Sequence, residues 1–444
     1  MADASDETVT IAAAGDAMVT KRLTRNADEG VQELRRIVTD ADASIVNLEA
    51  PLHDFESAPV AGPLAHFRSP AWAADELASM GFDLFAAANN HIGDYGQSGM
   101  TTTIDALERR DLPYAGIGRN RAAARAPTYA ETPAGRIALI AATTTFVPGT
   151  DAGQQRRDVR GRPGIAPMRL RPRYSVTDEH LEALRELHDA LEMDDSIDDR
   201  GGYVDRVDDE ETVPILNVDA GAAGRSLRFE LGEENRIYYE PHPNDLAEIQ
   251  TGIETANRNA DAVIVSVHSH EGANGRYNDE SVPPVLETFA RDCIDAGTDV
   301  VLCHGPHRVR GIELYDSAPI FYSLGNFALQ YHTVPFFPEE TYEALGLDRH
   351  GSPIDVQEAL GSPVENDVEK QGIVPVCTFD DGDLREIRLH PIELGVDRDV
   401  ADHGTPTLAE GEIAADLLER LSTLSSAYGT DIRTHEEIGI IEPQ

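Results

Sequence analysis

The sequence predicts an α/β protein built on a layered sheet, and three observations carry that prediction. Short β-branched or alanine-rich apolar runs alternate with stretches of helical period along most of the 444 residues. Five of the apolar runs end abruptly in carboxylate, amide or imidazole side chains. In open parallel sheets the carboxyl ends of the strands are where ligands bind.

Taken in order, residues 8–14 form a β run that stops at Gly15-Asp16-Ala17-Met18, and a helical stretch with Val31, Leu34, Ile37 and Val38 on one face follows to about Val38. Residues 44–48 are a second strand ending at Glu49, and residues 70–80 a helix closed by Gly81. Residues 84–88 are a buried strand that breaks into Asn89, Asn90, His91 and Asp94, with Gly93 and Gly96. A helix is expected over 101–109, a short element over 113–118 and a strong strand over 136–142. Between residues 186 and 211 twelve acidic residues face two arginines and hydrophobic periodicity vanishes, so this stretch reads as an exposed insertion.

The alternation then resumes. Residues 246–259 are helical, and 262–267 form a β-branched strand ending at His268, His270 and Glu271. Residues 282–296 are a helix whose first turn suits Pro283 and Pro284. Residues 299–303 end at His304 and His307, and 319–324 end at Gly325-Asn326-Phe327. Residues 331–370 read as a long loop, 372–379 and 384–394 as a closing antiparallel pair, and 410–425 as an amphipathic helix.

The length allows one large or two ordinary domains, and 41% hydrophobic residues suffice for a globular core. The formal net charge is −43 and lysine occurs only at positions 21 and 370. Such a surface repels itself unless salt screens it, which points to a salt-rich cytoplasm. It also argues against nucleic acid and anionic membranes as partners, because both need basic patches. The acidic N-terminus is no signal peptide, and no apolar run approaches the ~18–20 residues of a membrane span. Cys293, Cys303 and Cys377 are scattered in apolar contexts and read as core thiols.

Five of the fifteen histidines lie at the strand tips, together with Asp16, Glu49, Asn90 and Asp94. That donor set suits a divalent ion such as Mn²⁺, Zn²⁺ or Fe²⁺, and the absence of cysteine argues against a structural zinc knot. A carboxylate bridging two ions about 3.5–4 Å apart is the usual core of a two-metal hydrolase, and Asp16 is our choice for the bridge. Each tip alone has an ordinary reading: Asp16 as a helix cap, Asn89-Asn90 as turn chemistry, a lone histidine as a surface residue. Recurrence at five strand ends is what favours a site.

The motifs resemble the CapA family, named for poly-γ-glutamate capsule synthesis and grouped with the calcineurin-like metallophosphoesterases. The matching segments are Ala14-Gly15-Asp16, Asn47-Leu48-Glu49-Ala50-Pro51-Leu52 and Ala88-Asn89-Asn90-His91-Ile92-Gly93-Asp94. Further on come Val267-His268-Ser269-His270-Glu271-Gly272, His304-Gly305-Pro306-His307-Arg308-Val309-Arg310 and Tyr322-Ser323-Leu324-Gly325-Asn326-Phe327. The resemblance implies a four-layer α/β/β/α sandwich over residues 8–395, with an insertion over about 151–245, a long loop over about 331–370 and a C-terminal helical extension over 396–444. It implies a centre for two divalent ions held by Asp16, Glu49, Asn90, His268, His304 and His307. His91 falls where that superfamily keeps a substrate-facing general acid, with Asp94 orienting its ring. His270, Glu271, Arg308, Arg310 and Asn326 are assigned to substrate, and His270-Glu271 can also compensate for a lost ligand. Where the superfamily has Asp-x-His, this chain reads Asp16-Ala17-Met18, and its final Gly-His-x-His appears as His304-Gly305-Pro306-His307.

The function expected is metal-dependent hydrolysis of a phosphoester or γ-glutamyl-type bond in capsule or poly-γ-glutamate biosynthesis. The alternative is a non-catalytic accessory factor for synthesis or export of an acidic polymer. A small-molecule or polymer substrate, poly-γ-glutamate among the candidates, and other capsule-synthesis proteins are the expected partners.

Overall fold

The computed structural model of the protein describes residues 8–25, 28–61, 66–133, 135–190, 212–217, 225–359, 368–395 and 402–443. Among them, ten strands form one mixed sheet. Its order is Arg433–His435, Ile438–Ile441, Asp383–Glu393, Gln371–Asp380, Thr8–Met18, Ala43–Leu48, Leu84–Ala86 and Tyr114–Ala115. Asn326–Leu329 also pairs with Thr8–Met18, and Thr407–Leu408 with Asp383–Glu393. A second sheet runs Ile312–Tyr315, Ala318–Phe321, Val300–His304, Ala262–His268, Gly135–Thr143 and Thr128–Thr132, parallel in the middle and antiparallel at both edges.

Alternation along the strands decides which side chains meet. Ile11, Ala13, Ile45 and Leu84 of the first sheet share one apolar cluster with Leu139, Ala141, Ile264 and Leu302 of the second. The alternate residues Ala14, Val46 and Phe85 pack instead on Leu34, Val38, Leu77 and Leu107 of helices Glu29–Asp40, Ala73–Met80 and Gly96–Glu108. On the second sheet Ile140, Val263, Val265 and Val301 pack on Ile253, Phe289 and Ala290 of helices Pro243–Asn257 and Pro284–Asp295. Each large aliphatic chain buried in these clusters contributes about 1.5–3 kcal/mol over its exposed state.

A bulge in the first strand turns a carboxylate toward the other sheet. Pairing with Ala43–Leu48 shifts register between Ala14 and Asp16. Ala14 and Ala17 consequently both face the helices although they are three positions apart. One residue is therefore extra, and Asp16 leaves the helix side it would occupy in a regular strand. Gly15 makes this possible, because a Cβ there would stand 1.9 Å from the Gly325 carbonyl oxygen. Asp16 N donates to that same oxygen at 3.1 Å. Gly15→Ala is expected to cost roughly 1–3 kcal/mol or more through backbone displacement. A urea midpoint equal to wild type would show that this close approach is not required.

Several segments differ from the sequence expectation. The third strand is shorter, Leu84–Ala86, and the helix after it starts at Gly96 rather than near residue 101. Strand Ile312–Tyr315 is not expected from the sequence, because it is a four-residue run between Gly311 and Asp316. The insertion carries structure: Thr212–Asn217, Arg225–Leu231, Leu170–Val176 and Arg236–Pro241 form a separate four-stranded sheet beside helix Asp178–Ala190. Of the acidic stretch, residues 191–211 lie outside the described residues. The long loop contains the short helices Glu339–Ala344 and Pro353–Ala359, while 360–367 lie outside the described residues.

The closing pair is present as Gln371–Asp380 and Asp383–Glu393, and the C-terminal helix as Gly411–Ser426. That helix sends Leu417, Leu418 and Leu421 into the cluster between the sheets. The tail expected to be helical also adds strands Thr407–Leu408, Arg433–His435 and Ile438–Ile441 to the first sheet. These strands have two to four residues, too short to show a period in sequence. All three cysteines are buried and free. No helix among the described residues is long and apolar enough to cross a membrane.

Candidate metal centre

The ends of the parallel strands from both sheets converge on one buried place. Asp16 follows the bulge, Glu49 follows Ala43–Leu48, and His268 and His304 are the last residues of their strands, opposite each other in register. Asp16, Glu49 and His268 have no exposed surface and His304 only 2%. Two groups of candidate ligand atoms result, Asp16 with His268 and His304, and Glu49 with His270 and His307, each within 4.8 Å.

Asp16 faces both groups. Its Oδ1 is 3.4 Å from His304 Nδ1 and 3.7 Å from His268 Nδ1, while Oδ2 is 3.6 Å from His307 Nδ1. His268 lies between the groups, with Nδ1 2.9 Å from His304 Nδ1 and Nε2 3.0 Å from His270 Nε2. Its Nε2 is also 3.7 Å from Glu49 Oε1. Ligands on a tetrahedral ion at ~2.1 Å stand about 3.4 Å apart, so these spacings fit donors around shared cations.

The donors left over fit a cation as well. Both Glu49 oxygens and Asn90 Oδ1 are buried without a hydrogen-bond partner among the described residues. A buried carboxylate with no donor is costly unless positive charge faces it. Burial first, then the charges of Asp16 and Asp94, push the Glu49 carboxyl well above its ordinary range. Burial also raises Asp16, but the hydrogen bond and charge of His304, with His307 and Asn47, outweigh it and leave Asp16 below the ordinary value. Burial, reinforced by neighbouring imidazoles, holds His268 well below the usual value. Burial and His307 bring His270 down to about 3, against the Asn278 hydrogen bond. Neutral imidazoles offer lone pairs, which is the form a metal requires.

A second ring of side chains fixes these donors. Asn47 Nδ2 donates to Asp16 Oδ1 at 2.7 Å, and Asn89 Nδ2 donates to Asn47 Oδ1 at 3.1 Å. Gly305 N donates to Asp16 Oδ2 at 3.1 Å. Ser266 Oγ meets His304 Nε2 at 2.7 Å, Asn278 Oδ1 meets His270 Nδ1 at 2.7 Å and Asn326 Oδ1 meets His307 Nδ1 at 2.9 Å. His307 itself adopts a left-handed backbone with φ 57°. Sequence reasoning missed the roles of Asn47, Ser266 and Asn278, because polar residues inside or beyond a strand carry no spacing signal. Asn326, expected at substrate, is placed against His307.

Residues 10–331 match the family described as Bacterial capsule synthesis protein PGA_cap. The chain belongs to this capsule-synthesis family. A Sinorhizobium fredii protein described as uncharacterized protein y4sH is 32% identical over 449 residues, covering 97% of this chain and 92% of its own length. The capsule biosynthesis protein CapA of Bacillus anthracis is 23% identical across 68% of this chain and 54% of its own. The PGA biosynthesis protein CapA of Bacillus subtilis is 22% identical across 83% and 77%.

The remaining candidates of this family member surround the two groups. His91 Nδ1 lies 2.9 Å from Asp94 Oδ2, which also accepts from Phe67 N at 2.8 Å, and the Phe67 ring stands edge-on to His91 at 4.2 Å. Glu271 is held by hydroxyls: Thr144 Oγ1 donates at 2.5 Å and Ser269 Oγ at 2.8 Å. Arg310, expected at substrate, has no exposed surface, and its guanidinium donates to the carbonyls of Asp279 and Glu271 at 2.9 and 3.0 Å. Arg308 stands 3.6 Å from Glu369. Met18, where the resemblance would put a histidine, is packed in an apolar cluster with Ala50, Phe67 and Leu329. His270 is the imidazole that joins the second group instead.

Proposed function

We propose that this capsule-synthesis family member is a metal-dependent hydrolase of a phosphoester or γ-glutamyl-type bond. The observation that carries the reading is the pair of adjacent donor groups faced by one carboxylate, Asp16. Asp16, His268 and His304 would hold one divalent ion, and Glu49, His270 and His307 with Asn90 the other, as Mn²⁺, Zn²⁺ or Fe²⁺. Such a pair supplies Lewis acidity and lowers the pKa of water toward ~7. The succession of helices, two facing sheets and helices supports a metallophosphoesterase-type sandwich, with residues 8–395 as its catalytic unit.

The chain's own groups do the rest. Asp94 holds the Nδ1 side of His91, which leaves Nε2 to carry a proton to the leaving group. Such acid catalysis contributes about 10²–10⁴-fold. Phe67 limits rotation of the ring, and burial of Asp16 and Glu49 keeps bulk water from competing for their oxygens.

Elemental analysis of wild type is expected to find close to two transition-metal ions per chain, and His304→Ala fewer. Assays with p-nitrophenyl phosphates and γ-glutamyl anilides under Mn²⁺ then choose the bond, and equal activity in His304→Ala would reject the hydrolase. Asp94→Asn is expected to lower kcat by about 10²-fold with metal content unchanged, because the amide can still accept from Phe67 N but no longer stabilises a protonated His91. An unaltered kcat would remove His91 from the chemistry. The accessory-factor reading is favoured by one observation: the family description names synthesis, not cleavage. It predicts bound metal without turnover and loss of surface polymer on gene deletion.

A further inference from the structure

Acidic side chains outnumber basic ones 80 to 37 in this chain, so a partly buried arginine has no shortage of partners. Most have taken one: Arg22 with Glu76 at 2.8 Å, Arg173 with Glu240 at 2.7 Å and Arg291 with Glu313 at 3.0 Å. Two that lie against the same segment, one of them next to His307, are held more weakly. Arg308 follows His307, its side chain is 19% exposed, and its only ion pair among the described residues is with Glu369 at 3.6 Å. That is longer than the ~2.7–2.9 Å of a charge-assisted hydrogen bond. Arg420, from the C-terminal helix, makes a single neutral contact among the described residues, to Gln371 Oε1 at 3.2 Å. The Nε of each is buried without a hydrogen-bond partner among the described residues.

The two arginines lie against one short segment, Glu369 to Gln371, which also binds the centre. Asn326 Nδ2 donates to the Glu369 carbonyl at 2.8 Å, and Asn326 Oδ1 meets His307 Nδ1. Arg420 feels Arg308 directly: burial lowers its pKa, Glu280 opposes, and the charge of Arg308 lowers it further. Like charges approaching each other in a strongly acidic protein, with hydrogen-bonding capacity unused, is the arrangement expected of a site completed by an anion.

We propose that Arg308 and Arg420 form an oxyanion subsite beside His307 that receives a carboxylate or phosphate of the substrate, remote from the bond that is broken. The substrate thus carries at least one anionic group gripped outside the metal centre, besides the bond that the centre receives. Arg310 also has a buried Nη1 without a hydrogen-bond partner among the described residues, but it has no exposed surface and two carbonyls hold its Nε and Nη2, so it is not part of the subsite. The inference rests on reading the centre as a substrate site, and it does not require that the bound molecule be cleaved.

The test is calorimetric titration of the metal-loaded protein with a γ-linked glutamate trimer and with inorganic pyrophosphate, in wild type, Arg420→Gln and Arg420→Lys. Wild type is expected to bind one probe, Arg420→Gln to weaken it about tenfold or more, and Arg420→Lys to fall between, since lysine keeps the charge but loses the fork. Metal content should not change in either variant. The probe affected identifies carboxylate or phosphate. Equal affinity of wild type and Arg420→Gln for both probes, or no binding of either by wild type, overturns the subsite. Should Arg420→Gln fail to fold, Arg420→Lys binding as tightly as wild type overturns the forked contact. Weakened binding in a protein that turns over no substrate would instead keep the subsite and reject the hydrolase.

Discussion

Asp16→Asn is expected to disable both halves of the centre in one step. The variant should bind divalent ions at least about 10²-fold more weakly, because losing even an outer-shell partner costs about 10–100-fold. The physical reason is position: one oxygen of Asp16 faces His268 and His304, and the other faces His307. An amide keeps the shape but removes the charge and offers one acceptor where two were used. It also turns a donor toward either Gly305 N or Asn47 Nδ2, both of which now donate to Asp16. Metal analysis after dialysis, with turnover on the best substrate, reads the effect. Two ions retained at full activity would exclude Asp16 as the bridge.

Asp245→Ala is expected to destabilise the fold by about 3–5 kcal/mol while leaving the metal donors in place. Asp245 has no exposed surface and lies in the first turn of helix Pro243–Asn257. Its carboxylate meets Arg169 Nε and Nη2 at 2.8 Å each, Arg121 Nη2 at 2.9 Å and Arg125 Nη2 at 3.1 Å. Removing it leaves three guanidinium groups around an empty place, with Glu248 neutralising only part of their charge. The same contacts tie strand Leu170–Val176 of the insertion, through Arg169, to the helix that covers the second sheet. Burial raises the Asp245 carboxyl's pKa, but the hydrogen bonds from Arg169 outweigh it and leave it below its ordinary value. A depressed folded-state pKa stabilises the protein above the unfolded value of about 3.9 and loses that stabilisation as pH falls through the folded one. The difference in urea midpoint between wild type and Asp245→Ala should therefore be large at pH 7 and shrink in acid below the folded-state pKa. A gap that does not change with pH would assign the effect to packing.

Much of this architecture is legible in the sequence wherever a period runs long enough. The runs at 8–14, 44–48, 136–142 and 262–267 are strands because each is continuous, apolar and closed by a polar break. The strand tips were visible for the same reason: Asp16, Glu49, His268 and His304 stand where apolar character stops, and the structure brings them together. What stayed hidden is what depends on long-range geometry. Asn47 looks like ordinary alternation until its amide is seen against Asp16. Asn278 is eight positions from His270, on a loop whose return no pattern announces. Arg310 is expected at substrate, whereas it has no exposed surface and donates to two backbone carbonyls. The strands of the insertion and of the C-terminal tail border charged stretches, and Asp245 stands just before the helix that the sequence predicts from residue 246.

The hydrogen bond from Gly305 to Asp16 joins residues 289 positions apart. Every donor group draws on that span, since each combines a residue from the first fifty with one beyond residue 260. No fragment made early in synthesis can assemble either group, so an ion cannot nucleate this fold as it does in a small zinc domain. An ion held there would be a late arrival that selects the finished molecule. By mass action it would then slow only the escape from the native state, leaving the search for that state to the apolar layers alone.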